Sequence, residues 1–229
     1  WQSAGGTPPD WSDERGWPQA VGAYQGRIFY ANTVSDPQSI WASASGDWYD
    51  INLDGTTASD PLWFTLSQRG DVQWIHGHKM LLLGTPAHEI AVTAQAGVLQ
   101  SNDVSADIQT SYGSSNRQPK GAAEGVFAVG GDKLAARSLA LSREIMGWKA
   151  GKLTWTAPHI TNPGVRRVAN ARDPYRVVWL PLYGGDMAAM SYEPATDING
   201  WSRHSTQGEF VDALNIGNER GELTFFVLP

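Results

Sequence analysis

Strong strand-forming segments recur along this chain at nearly even intervals, and that recurrence restricts its possible folds more than any other feature. The five segments read AVGAYQGRIFYA, QWIHGHKMLLLG, PKGAAEGVFAVG, RRVANARDPYRVVWLPLYG and FVDALNIGNERGELTFFVLP. With Ile28, Leu81, Val126, Val177 and Leu223 taken as equivalent, the successive spacings are 53, 45, 51 and 46 residues. A period of roughly 40 to 50 residues with several strands per unit is what propeller blades produce.

Each unit can be filled in around its strongest strand. Third strands are expected at Ser39 to Ser43, Glu89 to Thr93, Leu134 to Leu141 and Met187 to Tyr192. Fourth strands are expected at Leu62 to Leu66, Ile108 to Tyr112, Leu153 to Thr156 and Trp201 to Ser205. Turn signals separate them at Gly46-Asp47, Gly130-Gly131-Asp132 and Gly184-Gly185-Asp186. With 25 Gly and 13 Pro breaking the chain every few positions, long helices are disfavoured. The one stretch with helical propensity, Asp132 to Met146, also alternates and reads mostly as strand. The expected fold is therefore all-β and propeller-type, a single domain over residues 1–229 with about five blades. The fifth unit has only two strands and so reads as an incomplete blade. Together with a chain that opens on Trp1 rather than Met, this suggests a domain of a longer polypeptide.

Composition removes several classes of function. Hydrophobic residues make up 41% of the chain and include 11 Trp, enough for a substantial core. A formal charge of −6 argues against a surface that grips polyanions. The longest apolar run, Met80 to Leu83, is far too short to cross a bilayer. Without cysteine there is no disulfide framework, no thiol nucleophile and no Cys-ligated zinc. No Walker loop, G-x-G-x-x-G, G-x-S-x-G or H-E-x-x-H is present.

Four groups of side chains could still carry chemistry. His76 and His78 would share one face of a strand, and with His88 and Glu89 they invite a metal, although a solvent-facing turn is the simpler reading. Asp47, Asp50, Asp54, Asp60, Asp132, Asp186 and Asp197 sit in turn contexts, and none fits a calcium loop. Trp11, Trp17, Trp41, Trp48, Trp63, Trp74, Trp148, Trp155, Trp179 and Trp201 could stack on sugars, but most fall within strands and suit packing between blades. GWSRHSTQGEF, residues 200–210, holds Trp201, Arg203, His204, Ser205, Thr206 and Glu209. On a strand His204 and Ser205 point to opposite faces, so they cannot pair as base and nucleophile. No catalytic, cofactor or metal residue is assigned.

Four segments, in order, carry a resemblance. WSDERGWPQAVGAYQGRIFYA fits W-x-x-x-x-G-[WY]-P-x-A-V-x-x-[YF]-Q-x-R-[hydrophobic]-x-[FY]-A, and SIWASASGDWYDINL fits W-x-S-x-x-G-D-[aromatic]. QTSYGSSNRQP at 109–119 and GWSRHSTQGEFVDAL at 200–214 complete the set, the latter fitting W-x-R-H-x-T-x-G-x-[FV]. Over Trp11 to about Leu214 the chain resembles phage tail nozzle proteins, also called tail tubular protein B, and related podovirus tail hub proteins. The resemblance implies a virion structural protein made in the bacterial host cytoplasm. Such proteins form a homo-oligomeric ring, typically six-fold, around the channel for genome ejection. Adaptor and fibre proteins would be its partners, and DNA would pass without specific binding. It implies a propeller in the core, no catalysis and no cofactor. The chain is shorter than full-length members, without counterparts of their platform, gate and fibre-docking regions. The alternatives are a propeller carbohydrate-binding module, or a glycoside hydrolase acting on host-surface glycans. The hydrolase needs two converging carboxylates.

Overall fold

A computed structural model describes residues 9–55, 57–122, 125–142, 144, 147–172, 175–193, 198–218 and 221–228. The chain divides into two compact units, Trp1–Asn116 and Arg117–Pro229, each with its own core. The first holds two four-stranded antiparallel meanders. One comprises β1 (Ala20–Tyr24), β2 (Arg27–Ala31), β3 (Ser39–Ala42) and β4 (Leu62–Thr65). The other comprises β5 (Trp74–Gly77), β6 (Leu81–Gly84), β7 (Glu89–Thr93) and β8 (Ser105–Thr110). The second unit repeats the plan with β9 (Lys120–Gly121), β10 (Gly125–Val129), β11 (Ala136–Ser142) and β12 (Gly147–Lys152). A further sheet follows, β13 (Ala169–Ala171), β14 (Val177–Pro181), β15 (Met187–Glu193) and β16 (Ile198–His204). A hairpin closes the unit, β17 (Asp212–Asn218) with β18 (Gly221–Val227).

The protein is all-β: no α-helix occurs among the described residues, and the only helical element is a 3-10 turn at Leu153–Trp155. Each of the first four repeat units is a separate four-stranded sheet, as the spacing predicts. No helix among the described residues is long and apolar enough to cross a membrane. Met146 and Asp197 lie outside the described residues.

Burial explains why the strongest repeats are the inner strands. All residues of β6 and β10 are buried, as are four of the five in β7, so both faces are covered and the sequence reads as an unbroken apolar run. At the outer edge β4 alternates, with Leu62 and Phe64 inward and Trp63 and Thr65 in solvent. Within the first unit Phe29, Ile40, Leu62, Ile75, Leu81, Leu83 and Ile90 build a single core drawn from both sheets. Within the second, Phe127, Val129, Leu180, Leu182, Ala188 and Met190 do the same.

Neighbouring sheets meet through their first strands. In the first unit β1 lies against β5. Glycine permits the approach: a Cβ on Gly22 would stand 2.6 Å from the Ile75 carbonyl oxygen, and one on Gly77 would overlap that of Ala23. In the second unit β13 lies against both β9 and β17. There Asn170 Nδ2 donates to the Gly121 carbonyl at 3.2 Å.

Several boundaries differ from expectation. The fourth strand of the third unit is Gly147–Lys152, not Leu153 to Thr156. Its anchor is the fully buried Trp148 opposite Leu141, and the chain then tightens into the 3-10 turn with Thr154 buried. Gly147, Ala150 and Gly151 conceal this strand in the sequence because they carry little strand preference. The third strand of that unit starts at Ala136 rather than Leu134, because Asp132 Oδ1 accepts the Leu134 and Ala135 amides and Lys133 takes φ 60°. The fourth strand of the second unit, expected at Ile108 to Tyr112, is Ser105–Thr110, and its pairing with β7 carries a bulge at Glu89/Ile90.

Candidate interaction surfaces

The four quoted segments act as fasteners. In the first, Gln25 (φ 47°) and Gly26 (φ 71°) form the β1–β2 turn. Gln25 then reaches the neighbouring sheet, donating to the Gly97 carbonyl at 2.8 Å and accepting the Leu99 amide at 3.2 Å. Arg27, only 1% exposed, donates to the carbonyls of Ser43 (2.6 Å), Asp60 (2.7 Å) and Ala58. The second segment answers it: Ser43 Oγ accepts the Ile28 amide at 3.1 Å, and Trp48 Nε1 donates to the Gly26 carbonyl at 3.2 Å. Trp11 rests edge-on against Tyr30 and Trp41. Burial lowers the Arg27 pKa, and the nearby Asp60 opposes the shift.

The third segment is held by Glu89, a buried carboxylate that accepts the hydroxyls of Thr110 and of Ser114 (2.8 Å). Glu89 thus serves the 110–116 segment rather than a histidine cluster. Around His88, Thr85 closes a tight turn, with the His88 amide donating to Thr85 Oγ1 at 2.9 Å. No group of three or more His, Cys, Asp or Glu is placed to hold a metal among the described residues. Glu89→Ala is expected to lower the stability of the first unit by about 2–3 kcal/mol in urea denaturation. It should also speed proteolytic cleavage after Arg117, while Glu89→Gln, which keeps an acceptor, should lose less.

The fourth segment is a strand passing into a turn. Its residues pair Met190 with Trp201, Ala188 with Arg203 and Met187 with His204. Arg203 Nε donates to Asp186 Oδ2 at 2.9 Å, and Trp201 packs half-buried on the core. His204 Nε2 meets Ser202 Oγ at 3.0 Å, on the same strand face, and Ser205 is not its partner. Among the described residues no carboxylate reaches that imidazole, so the orienting member of a triad is missing. The Phe210 amide then donates to the Gly185 carbonyl at 2.8 Å, seating the turn.

Three further acidic turn residues behave as caps. Asp47 Oδ1 accepts the Tyr49 amide, Asp50 Oδ1 the Asn52 amide, and Asp60 Oδ2 the Thr57 amide. Of the tryptophans, Trp41, Trp74 and Trp148 are buried and Trp11, Trp179 and Trp201 half-buried, whereas Trp17, Trp48, Trp63 and Trp155 are exposed. Among the described residues, a cleft of about 670 Å³ between β11–β12 and β15–β16 is lined by one of them, Trp155, and one carboxylate, Glu193. Glu193 is paired with Arg176 at 3.6 Å.

The β17–β18 hairpin presents the most conspicuous open surface. Its pairing sets Leu214 opposite Phe225 and Ile216 opposite Leu223, with Val227 on the same face. All five are about half exposed. The other face is satisfied: Ala213 is buried, and Glu222 accepts the Arg172 amide at 2.6 Å and its Nε at 2.9 Å. Phe226 on that face packs against Trp179 and Phe210. A contiguous apolar face on a two-stranded hairpin is what an association surface provides. The alternation in DALNI and LTFFV signals the hairpin, but not that one face stays uncovered. The role of Arg27 is likewise hidden in the sequence, because its partners lie far away along the chain, and Glu89, a candidate metal ligand on sequence grounds, instead accepts the hydroxyls of Thr110 and Ser114.

Neither protein-family models nor curated proteins give a match to this chain.

Proposed function

We propose that this chain is a structural component of a phage tail nozzle or hub ring, forming part of the wall of the genome-ejection channel and performing no catalysis. In this reading the four sheets and the hairpin are five blades of a propeller-type wall, the fifth represented by two strands. The observation that carries it is the repeated antiparallel meander whose first strands lie against one another, β1 on β5 and β9 on β13 on β17. Side chains of the four resembling segments also support it, since they fasten loops and sheets instead of meeting at a reactive centre.

The open hairpin face is then a lateral contact within the ring, with adaptor and fibre proteins as further partners in the virion tail. Replacing Leu214, Ile216 and Phe225 together with Ser is expected to leave the chain folded, because all three face solvent. Sedimentation velocity should show the parent chain associating at micromolar concentration and the variant remaining monomeric. Equal association by both proteins would overturn this interface.

A further inference from the structure

Two arginines of the second unit converge on one tyrosine. Arg117 stands three residues before β9, Arg166 three before β13, and Glu209 three before β17, so the repeat gives them the same place at the entry to a first strand. Tyr183 lies in the turn between β14 and β15. The guanidinium carbons of Arg117 and Arg166 each stand 5.5 Å from its ring centroid, and Arg117 also donates a hydrogen bond to its hydroxyl. Burial lowers the Arg117 pKa, and the charges of Arg167 and Arg166 lower it further.

The carboxylates nearby answer this charge only in part. Arg166 Nη2 is 3.7 Å from Glu209 Oε2, and Arg167 Nε is 3.8 Å from Asp212 Oδ2. Both contacts are long, and both carboxylates are substantially exposed. Arg117 has no carboxylate partner among the described residues. The cluster therefore keeps a positive excess in a chain whose formal charge is −6. Two guanidinium forks beside a phenol suit a tetrahedral oxyanion, which offers more acceptor oxygens than a carboxylate.

We propose that Arg117 and Arg166, beside the Tyr183 hydroxyl, form a phosphate-binding site that takes a backbone phosphate of nucleic acid or free phosphate, without sequence preference. The tail reading enters only as the source of the phosphate, which would be passing DNA. One partly neutralised cluster per chain makes a weak, salt-sensitive contact, compatible with movement of the duplex.

The test measures anisotropy of a short labelled mixed-sequence duplex over a range of salt concentrations, with inorganic phosphate as competitor. The expected logarithmic salt slope is about −2, for two phosphate contacts. Arg117→Gln and Arg166→Gln should each weaken binding about tenfold at low salt and reduce the slope by about one. Glu209→Gln should strengthen it about threefold, a gain that misfolding cannot imitate. Displacement by millimolar phosphate marks an oxyanion site that free phosphate can fill, and tight duplex binding that resists it marks a backbone site. The proposal is overturned if neither probe binds, or if all three variants bind like the parent. A chain that binds phosphate yet never assembles would remove the channel reading and leave this site standing.

Discussion

Arg27→Met is expected to lower the stability of the first unit by about 3–5 kcal/mol. The side chain is 1% exposed and donates to three backbone carbonyls, those of Ser43, Ala58 and Asp60. These carbonyls belong to the long connection between β3 and β4, which has no strand of its own among the described residues between Ala42 and Leu62. Methionine fills similar space but donates nothing, so buried acceptors lose their partners and incur their full desolvation penalty. Lysine keeps the charge, but one ammonium cannot reproduce the planar fork, so Arg27→Lys should recover only part of the loss. Urea titration monitored by tryptophan fluorescence checks both variants. A change below about 1 kcal/mol for Met would mean that the connection is held by other contacts.

The second large effect is expected at the approach of β1 to β5. Gly77→Ala puts a methyl group into the Ala23 carbonyl, and Gly22→Ala puts one 2.6 Å from the Ile75 carbonyl oxygen. Backbone atoms cannot rotate aside, so the strands must separate, at about 3 kcal/mol for either change. The double variant should lose clearly less than the sum, because one displacement relieves both clashes. Gly200→Ala provides the control. Nothing lies within 4 Å of its Cβ position, and its effect should stay within about 0.5 kcal/mol. Equal, additive losses at Gly22 and Gly77 would show that the two strands respond independently.

How much was legible in the sequence follows from what each residue contacts. β2, β6, β10 and β14 are visible because apolar side chains fill both faces or alternate cleanly, and this periodicity survives in one dimension. β12 is not, because backbone pairing to β11 and a single buried Trp148 hold a segment otherwise rich in Gly, Ala and Lys. The acidic turn residues are legible for the opposite reason: their partners are amides two or three positions away, as with Asp47 and Tyr49 or Asp132 and Ala135. Arg27 is a charged residue in an apolar strand, and only three-dimensional closure brings the Ala58 and Asp60 carbonyls to it, across 31 and 33 residues. The arginine cluster is hidden in the same way. Arg117 and Arg166 are 49 positions apart, and only the repeat gives them equivalent places.

Cryo-electron microscopy of the purified protein at micromolar concentration distinguishes a ring component from a solitary domain. Cyclic oligomers around an open axis are expected, with Leu214, Ile216 and Phe225 buried between neighbouring chains. Single chains at every concentration, or assemblies that leave this hairpin face in solvent, would contradict the ring role.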